Sequence, residues 1–398
     1  MSENNPQLVQ IIQEQINSSP EHKITFADYM DLVLYHPQYG YYNAKDINIG
    51  KSGDFFTASS LGSDFGELLA QQFVEMWEIL GKPSSFDLVE MGAGKGELAN
   101  DILSYLSQHY PDFLSAVHYH IIEQSSTLIE EQEKNLQSWQ EKEIKITWKR
   151  WENIPEASLT GCFFSNELVD AFPVHRVQIE AGKLKEIYVT LASEQTPFPF
   201  QEVLGNLSTE ELKNYFAKMG INLPSSAYED GFQTEVNLAI NDWLKQVSRC
   251  LDKGYLLTID YGYFAEKYYH PQRSSGTLQC YYQHQRHNHP YYLIGNQDIT
   301  AHVNFTALQS YGKQVNLQPL NFTRQALFLM ALGLGNRLNT LSQGKFNAMQ
   351  ILQRRDALHQ LIDPTGLGGF GVLLQGKALT EAEKAKTLQG FQETPFQS

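Results

Sequence analysis

A chain of 398 residues exceeds the roughly 250–300 at which one hydrophobic core stops growing, so one large core with insertions, or two domains, is expected. With 42% hydrophobic residues, including 22 Phe, 21 Tyr and 5 Trp, a disordered chain is excluded. Its 30 Lys+Arg against 45 Asp+Glu leave a net charge of −15, a field that repels phosphate backbones, so a nucleic-acid partner is not expected whereas a cationic one is admitted.

In chain order, Leu8, Ile11, Ile12 and Ile16 fall at helical spacing and predict an amphipathic opening helix. Thr25 and Asp28 form a capping-box pattern ahead of a helix over 26–35, which Pro37 should end near His36. A loop follows through Gly53. Phe65, Leu68, Leu69, Phe73, Met76, Trp77 and Leu80 then predict a long helix closed by Gly81 and Pro83. Strands are predicted at 86–91, 117–122, 144–148, 161–165, 255–259, 315–322 and 372–375, with helices over 97–110 and 126–139 between the early ones. That alternation implies an α/β fold built on a doubly wound, parallel, seven-stranded sheet with crossover helices on both faces.

Residues 181–245 interrupt the rhythm as an inserted cap with at least one helix, and 263–312 form a second insertion crowded with Tyr and His. The expected organisation is an N-terminal helical segment with a lid loop over 1–60, a core over 61–180, the cap over 181–245, a core strand within 246–262, the insertion over 263–312, and the rest of the core in 313–398.

Cys162, Cys250 and Cys280 are widely separated and lack CxxC spacing, which argues against a disulfide scaffold or structural zinc. No window holds 18 uncharged apolar residues, so no membrane span is expected. The first 22 residues contain no Lys or Arg and no apolar run, and a soluble, cytoplasmic protein is the expectation.

The sharpest local feature is Glu90-Met91-Gly92-Ala93-Gly94-Lys95-Gly96-Glu97, where a strand ends, three alternate glycines turn, and a helix begins. Glycine admits positive φ and close approach of a ligand to the amides at the helix start. A dinucleotide fingerprint would want its third glycine at position 97, and Glu90 would repel a pyrophosphate. S-adenosylmethionine fits better, because it has no phosphate and carries a sulfonium and an ammonium. Glu90 can hold the ammonium end, Glu123 at the end of the second strand can accept the ribose hydroxyls, and Glu152 after the third can reach the adenine amine. A plain tight loop and solvated strand-end charges are the alternatives.

The chain resembles the MidA family, methyltransferases associated with assembly of respiratory complex I. The resemblance lies in Tyr35-His36-Pro37, Gly40-Tyr41-Tyr42, Gly53-Asp54-Phe55-Phe56-Thr57, Phe65-Gly66-Glu67-Leu68 and the glycine turn. It continues in Asn166-Glu167-Leu168-Val169-Asp170-Ala171-Phe172-Pro173, Asp260-Tyr261-Gly262 and Gln297-Asp298-Ile299-Thr300-Ala301-His302. Ala93 and Lys95 stand where the family usually has Pro and Arg. The resemblance implies a class I, Rossmann-like methyltransferase fold using S-adenosylmethionine. It further implies symmetric dimethylation of arginine on a subunit of the NADH dehydrogenase complex, hence a protein substrate.

A guanidinium stays charged up to a pKa above about 12 and is best held by paired carboxylates. At the end of the fourth strand Glu167 and Asp170 are assigned that role, with Asn166 as an orienter near the methionine moiety; a helix N-cap cluster is the alternative. Gly53, Asp54 and Phe55 would form a lid over the cofactor, and Tyr261 could pack on the substrate or be a core tyrosine. No metal is expected: His284, His287, His289 and His302 are irregularly spaced. Two rival functions remain, a small-molecule O-methyltransferase with His287 or His302 as base, and a non-catalytic cofactor-binding assembly factor. A homodimer is compatible with the amphipathic first helix, as is a monomer.

Overall fold

The computed structural model describes residues 4–44, 58–193, 195–283, 285–341 and 347–392, in two compact units. One comprises Phe56–Leu168, Leu244–Tyr261 and Gly312–Ser398; the other comprises Met1–Phe55, Val169–Trp243 and Gly262–Tyr311.

The first unit is built on seven strands: β1 (Phe86–Met91), β2 (Val117–Ile122), β3 (Lys145–Lys149), β4 (Leu159–Asn166), β5 (Leu251–Asp260), β6 (Gln318–Arg324) and β7 (Gly371–Lys377). Their spatial order is β6-β7-β5-β4-β1-β2-β3. Neighbours from β5 through β3 pair in parallel, whereas β7 runs antiparallel to both β5 and β6. The seven-stranded, doubly wound arrangement is as expected from the sequence; the reversed last strand is not, because an apolar run carries no sign of its direction. The order reverses between β1 and β4, the place where open α/β sheets bind ligands at their carboxyl ends.

All six residues of β1 are buried, as a strand covered on both faces requires. The helix Asp64–Ile79 packs Phe65, Leu68, Leu69, Phe73, Met76 and Trp77 into this core. Its start is anchored by Arg337 and Arg354, which donate to Asp64 at 2.8 and 2.6 Å. The expected helix over 97–110 ends at His109, and Pro111, a favourable first helical residue, starts a separate short helix, Pro111–Ala116.

The second unit opens with helices Pro6–Ser18 and Phe26–Tyr35, the latter closed at its start by the predicted Thr25/Asp28 capping box. Leu8, Ile12 and Ile16 pack with Phe26, Tyr29, Met30 and Val33. A five-stranded antiparallel sheet holds Ile24–Thr25, Lys183–Leu191, His175–Glu180 and Gln233–Val236 in that order, with Phe200–Gly205 also pairing with Lys183–Leu191. The sequence reading expected at least one helix within 181–245, where Glu210–Lys218 lies, and missed the sheet. The reason is that Glu186, Thr234 and Glu235 are buried polar residues on its strands and break the apolar alternation. Glu186 accepts from Ser208 N–H at 2.5 Å and bonds His175 Nδ1 at 2.8 Å, which makes its burial tolerable.

Candidate active site

At the end of β1 the chain turns through Gly92, Gly94 and Gly96 with φ of 72°, 52° and 80°, and Gly96 starts the helix Glu97–His109. A Cβ on Gly92 would lie 2.8 Å from Leu168 Cδ1, so a side chain there would displace the end of Leu168 and would sit on a backbone that favours glycine. The Ala93 carbonyl accepts from Gly96 N–H at 2.8 Å, and those of Gly94 and Lys95 accept from the amides of Gln132 and Asn135 at 2.8 and 2.9 Å.

Glu90 is 3% exposed and accepts a 2.6 Å bond from Tyr119 Oη–H. Burial raises its pKa from 4.5 to about 7, the Tyr119 bond opposing the rise and the charge of Glu123 adding to it. Glu123 is half-buried; its Oε1 accepts from the N–H groups of Gln124 and Ser125 at 2.7 and 2.9 Å. Burial pushes its pKa up against those bonds. Two partly desolvated carboxylates beside one glycine turn favour a cationic ligand. Glu152 is exposed on the single turn Trp151–Asn153, whose backbone is held by Arg249 donating to the Trp151 and Ile154 carbonyls at 2.6 and 2.8 Å.

Asn166 ends β4 and donates from Nδ2 to Glu167 Oε1 at 3.2 Å, while its buried Oδ1 has no partner among the described residues. Glu167 holds a φ of 52°, its N–H donates to the Ile259 carbonyl at 3.0 Å, and its Oε1 also accepts from Ala58 N–H at 3.3 Å. A left-handed conformation costs a non-glycine residue about 1–2 kcal/mol and is concentrated at functional sites. Neither this backbone nor the amide of Gln132 was foreseen from sequence; Gln132 was detectable as a polar residue at a buried helical position.

The chain passes into the second unit between Leu168 and Val169. Asp170 therefore belongs to that unit, buried on the turn Val169–Ala171, and its carbonyl accepts from Ala301 N–H at 2.9 Å. Asp260, fully buried at the end of β5, accepts from Tyr261 N–H at 2.9 Å, and the Tyr261 ring tilts against Phe370 at 5.3 Å. His302 stacks on Tyr263 at 5.3 Å, and burial, with Arg273, lowers its pKa to about 4. Gly53, Asp54, Phe55 and His284 lie outside the described residues. Among the described residues, no three His, Cys, Asp or Glu are grouped to hold a metal ion, and no helix is long and apolar enough to cross a membrane.

The sheet order and the glycine turn after β1 are those of a class I methyltransferase using S-adenosylmethionine. Residues 68–323 match a family of S-adenosyl-L-methionine-dependent methyltransferases. The chain belongs to that family, the MidA-like methyltransferases. A similar solved structure, from Burkholderia thailandensis and bound to S-adenosyl-homocysteine, superposes with a TM-score of 0.80 at 27% identity, covering 97% of this chain and 94% of that one. "Protein arginine methyltransferase NDUFAF7 homolog, mitochondrial" from Drosophila melanogaster is 30% identical over 87% of this chain and 79% of its own length. "Protein arginine methyltransferase NDUFAF7, mitochondrial" from Homo sapiens is 28% identical over 87% and 78%. The cytoplasmic expectation is corrected by these names, since both relatives are mitochondrial proteins.

Proposed function

We propose that this methyltransferase acts on a protein arginine, forming symmetric dimethylarginine on a subunit of the NADH dehydrogenase complex. The observation that carries the reading is its 30% identity, over 87% of the chain, to a relative named as a protein arginine methyltransferase. When bound, S-adenosylmethionine supplies an electrophilic methyl on a positively charged sulfur. The proposed cradle is Gly92, Ala93, Gly94 and Gly96, with Glu90 on the ammonium, Glu123 on the ribose hydroxyls, Glu152 towards the adenine and Asn166 Oδ1 near the methionine moiety.

Glu167 is proposed to hold the guanidinium through charge-assisted hydrogen bonds and to aim one nitrogen at the methyl. Transfer of the methyl to that nitrogen would release S-adenosylhomocysteine, and the proton shed by the nitrogen would pass to water. Alignment of this kind can contribute roughly 7–11 kcal/mol to lowering the barrier. Asp170 and Tyr261, the other catalytic residues expected from the sequence, are tested beside it. A histidine base is the weaker reading, because a group with the lowered pKa of His302, about 4, is a poor proton acceptor near neutral pH.

The test uses labelled S-adenosylmethionine with subunits of the NADH dehydrogenase complex. Glu167→Gln should lower methyl incorporation by about a hundredfold or more, on the order of the loss when an electrostatic partner of the transition state is removed. Its S-adenosylhomocysteine affinity should stay near that of the wild type. Retained turnover in Glu167→Gln, with loss in His287→Ala or His302→Ala, would overturn the arginine assignment.

A further inference from the structure

We infer that Gln132 is a positioning residue for the cofactor, one amide that fixes the glycine turn, the end of β2 and β3 relative to one another. The helix Ser126–Gln140 begins three residues after Glu123 and is capped by Ser125, whose Oγ accepts from Leu128 N–H at 3.2 Å. Its buried face is Leu128, Gln132, Leu136 and Trp139, at helical spacing. Three of those positions carry apolar side chains, and the fourth, 0% exposed, carries an amide.

An amide buried in such a place destabilises the fold unless its hydrogen-bonding capacity is met. Here both ends are engaged. Nε2 donates to the Gly94 carbonyl at 2.8 Å and, over a longer 3.4 Å, to Glu123 Oε2; Oε1 accepts from Trp148 Nε1–H at 2.9 Å. The opposite amide orientation is excluded by chemistry, since it would set an oxygen against a carbonyl and a carboxylate and a nitrogen against an N–H. The three partners are Gly94 in the turn that follows Glu90, Glu123 itself, and Trp148 in β3, four residues before Glu152.

A second amide on the same helix reinforces the brace. Exposed Asn135 donates from Nδ2 to the Lys95 carbonyl at 2.9 Å. Between them, Gln132 and Asn135 take two consecutive carbonyls of the turn. Among the described residues, the N–H groups of Ala93, Gly94 and Lys95 are left as its open donors. A turn so held is pre-organised, and a pre-organised site binds more tightly because less freedom is lost on binding. This inference rests on the assignment of the turn and Glu123 to S-adenosylmethionine.

Calorimetric titration of the full chain with S-adenosylhomocysteine tests it, alongside steady-state kinetics. Gln132→Met keeps the volume and removes the three polar contacts. It should raise the dissociation constant and the KM for S-adenosylmethionine by about tenfold or more, with kcat at saturation changed far less. Asn135→Ala, at an exposed position that should fold normally, should raise both by roughly two- to fivefold on the same argument. Leu103→Ala serves as the stability control, a fully buried core residue on the helix Glu97–His109 with no polar role. It should lower the melting temperature and leave cofactor affinity unchanged. Wild-type affinity in both Gln132→Met and Asn135→Ala, or an equal loss in Leu103→Ala, would overturn the inference while leaving the cofactor assignment standing. A wild-type chain that takes up no S-adenosylhomocysteine would overturn both.

Discussion

Glu90 shows how one side chain couples the fold to the chemistry. Its carboxyl, buried beneath the glycine turn, ionises at about 7 rather than at the ordinary 4.5. Between those values the folded protein binds a proton that the unfolded chain does not, so stability is fully present below about 4.5 and falls as pH rises through about 7. The difference is on the order of 3 kcal/mol at most. Urea unfolding of the ligand-free protein should therefore show declining stability from pH 5 to pH 8, and Glu90→Gln should lessen that decline, the remainder coming from Asp101, whose carboxyl burial also raises to about 7. Affinity for S-adenosylmethionine should move the other way, rising as Glu90 ionises and can face an ammonium. A pH-independent profile in both measurements would contradict the role given to this carboxylate. The identity of the strand-end carboxylates Glu90 and Glu123 could be read from sequence because the strands themselves could. The left-handed backbone of Glu167 could not, since nothing in Asn166-Glu167-Leu168 marks a positive φ.

Among the structural elements, the glycine turn carries the sharpest requirement. Gly92→Ala sets a methyl 2.8 Å from Leu168 Cδ1 on a backbone with φ of 72°, so both strain and contact oppose it. Gly94→Ala has a φ of 52° and open space around the added methyl, leaving the backbone cost alone, about 1 kcal/mol. Melting temperature should therefore drop further in Gly92→Ala than in Gly94→Ala, and S-adenosylhomocysteine binding with it; equal effects would show that packing against Leu168 is unimportant. The same turn was legible in sequence as a turn, because three alternate glycines stand between an apolar strand and a helical segment; on its own it did not tell a ligand cradle from a plain tight loop. The long helix Asp64–Ile79 was legible for its unbroken 3.6-residue period. The antiparallel strands of the second unit were not: on one of them Glu235 is 2% exposed and accepts from Thr277 N–H and Oγ1–H at 2.8 and 2.9 Å, a partner 42 residues away that no local pattern reveals.

For the molecule as a whole, the distinction that matters is between fold and acceptor. The order of strands and the acidic strand ends lead from sequence to a class I sheet and its cofactor, and the family match agrees. Asp170 stands on the far side of the crossing at Leu168 and Val169, in the unit that also holds the antiparallel sheet and the Tyr/His-rich segment. The second unit is assembled from three separated stretches of the chain. The net charge of −15 suits a basic acceptor segment without selecting one. The acceptor is settled most directly by mass spectrometry after incubating the purified chain with methyl-deuterated S-adenosylmethionine and the isolated NADH dehydrogenase complex. The account predicts symmetric dimethylarginine carrying the deuterated label on one subunit. Label found only on a hydroxyl, or on no arginine while the chain binds the cofactor, would contradict it.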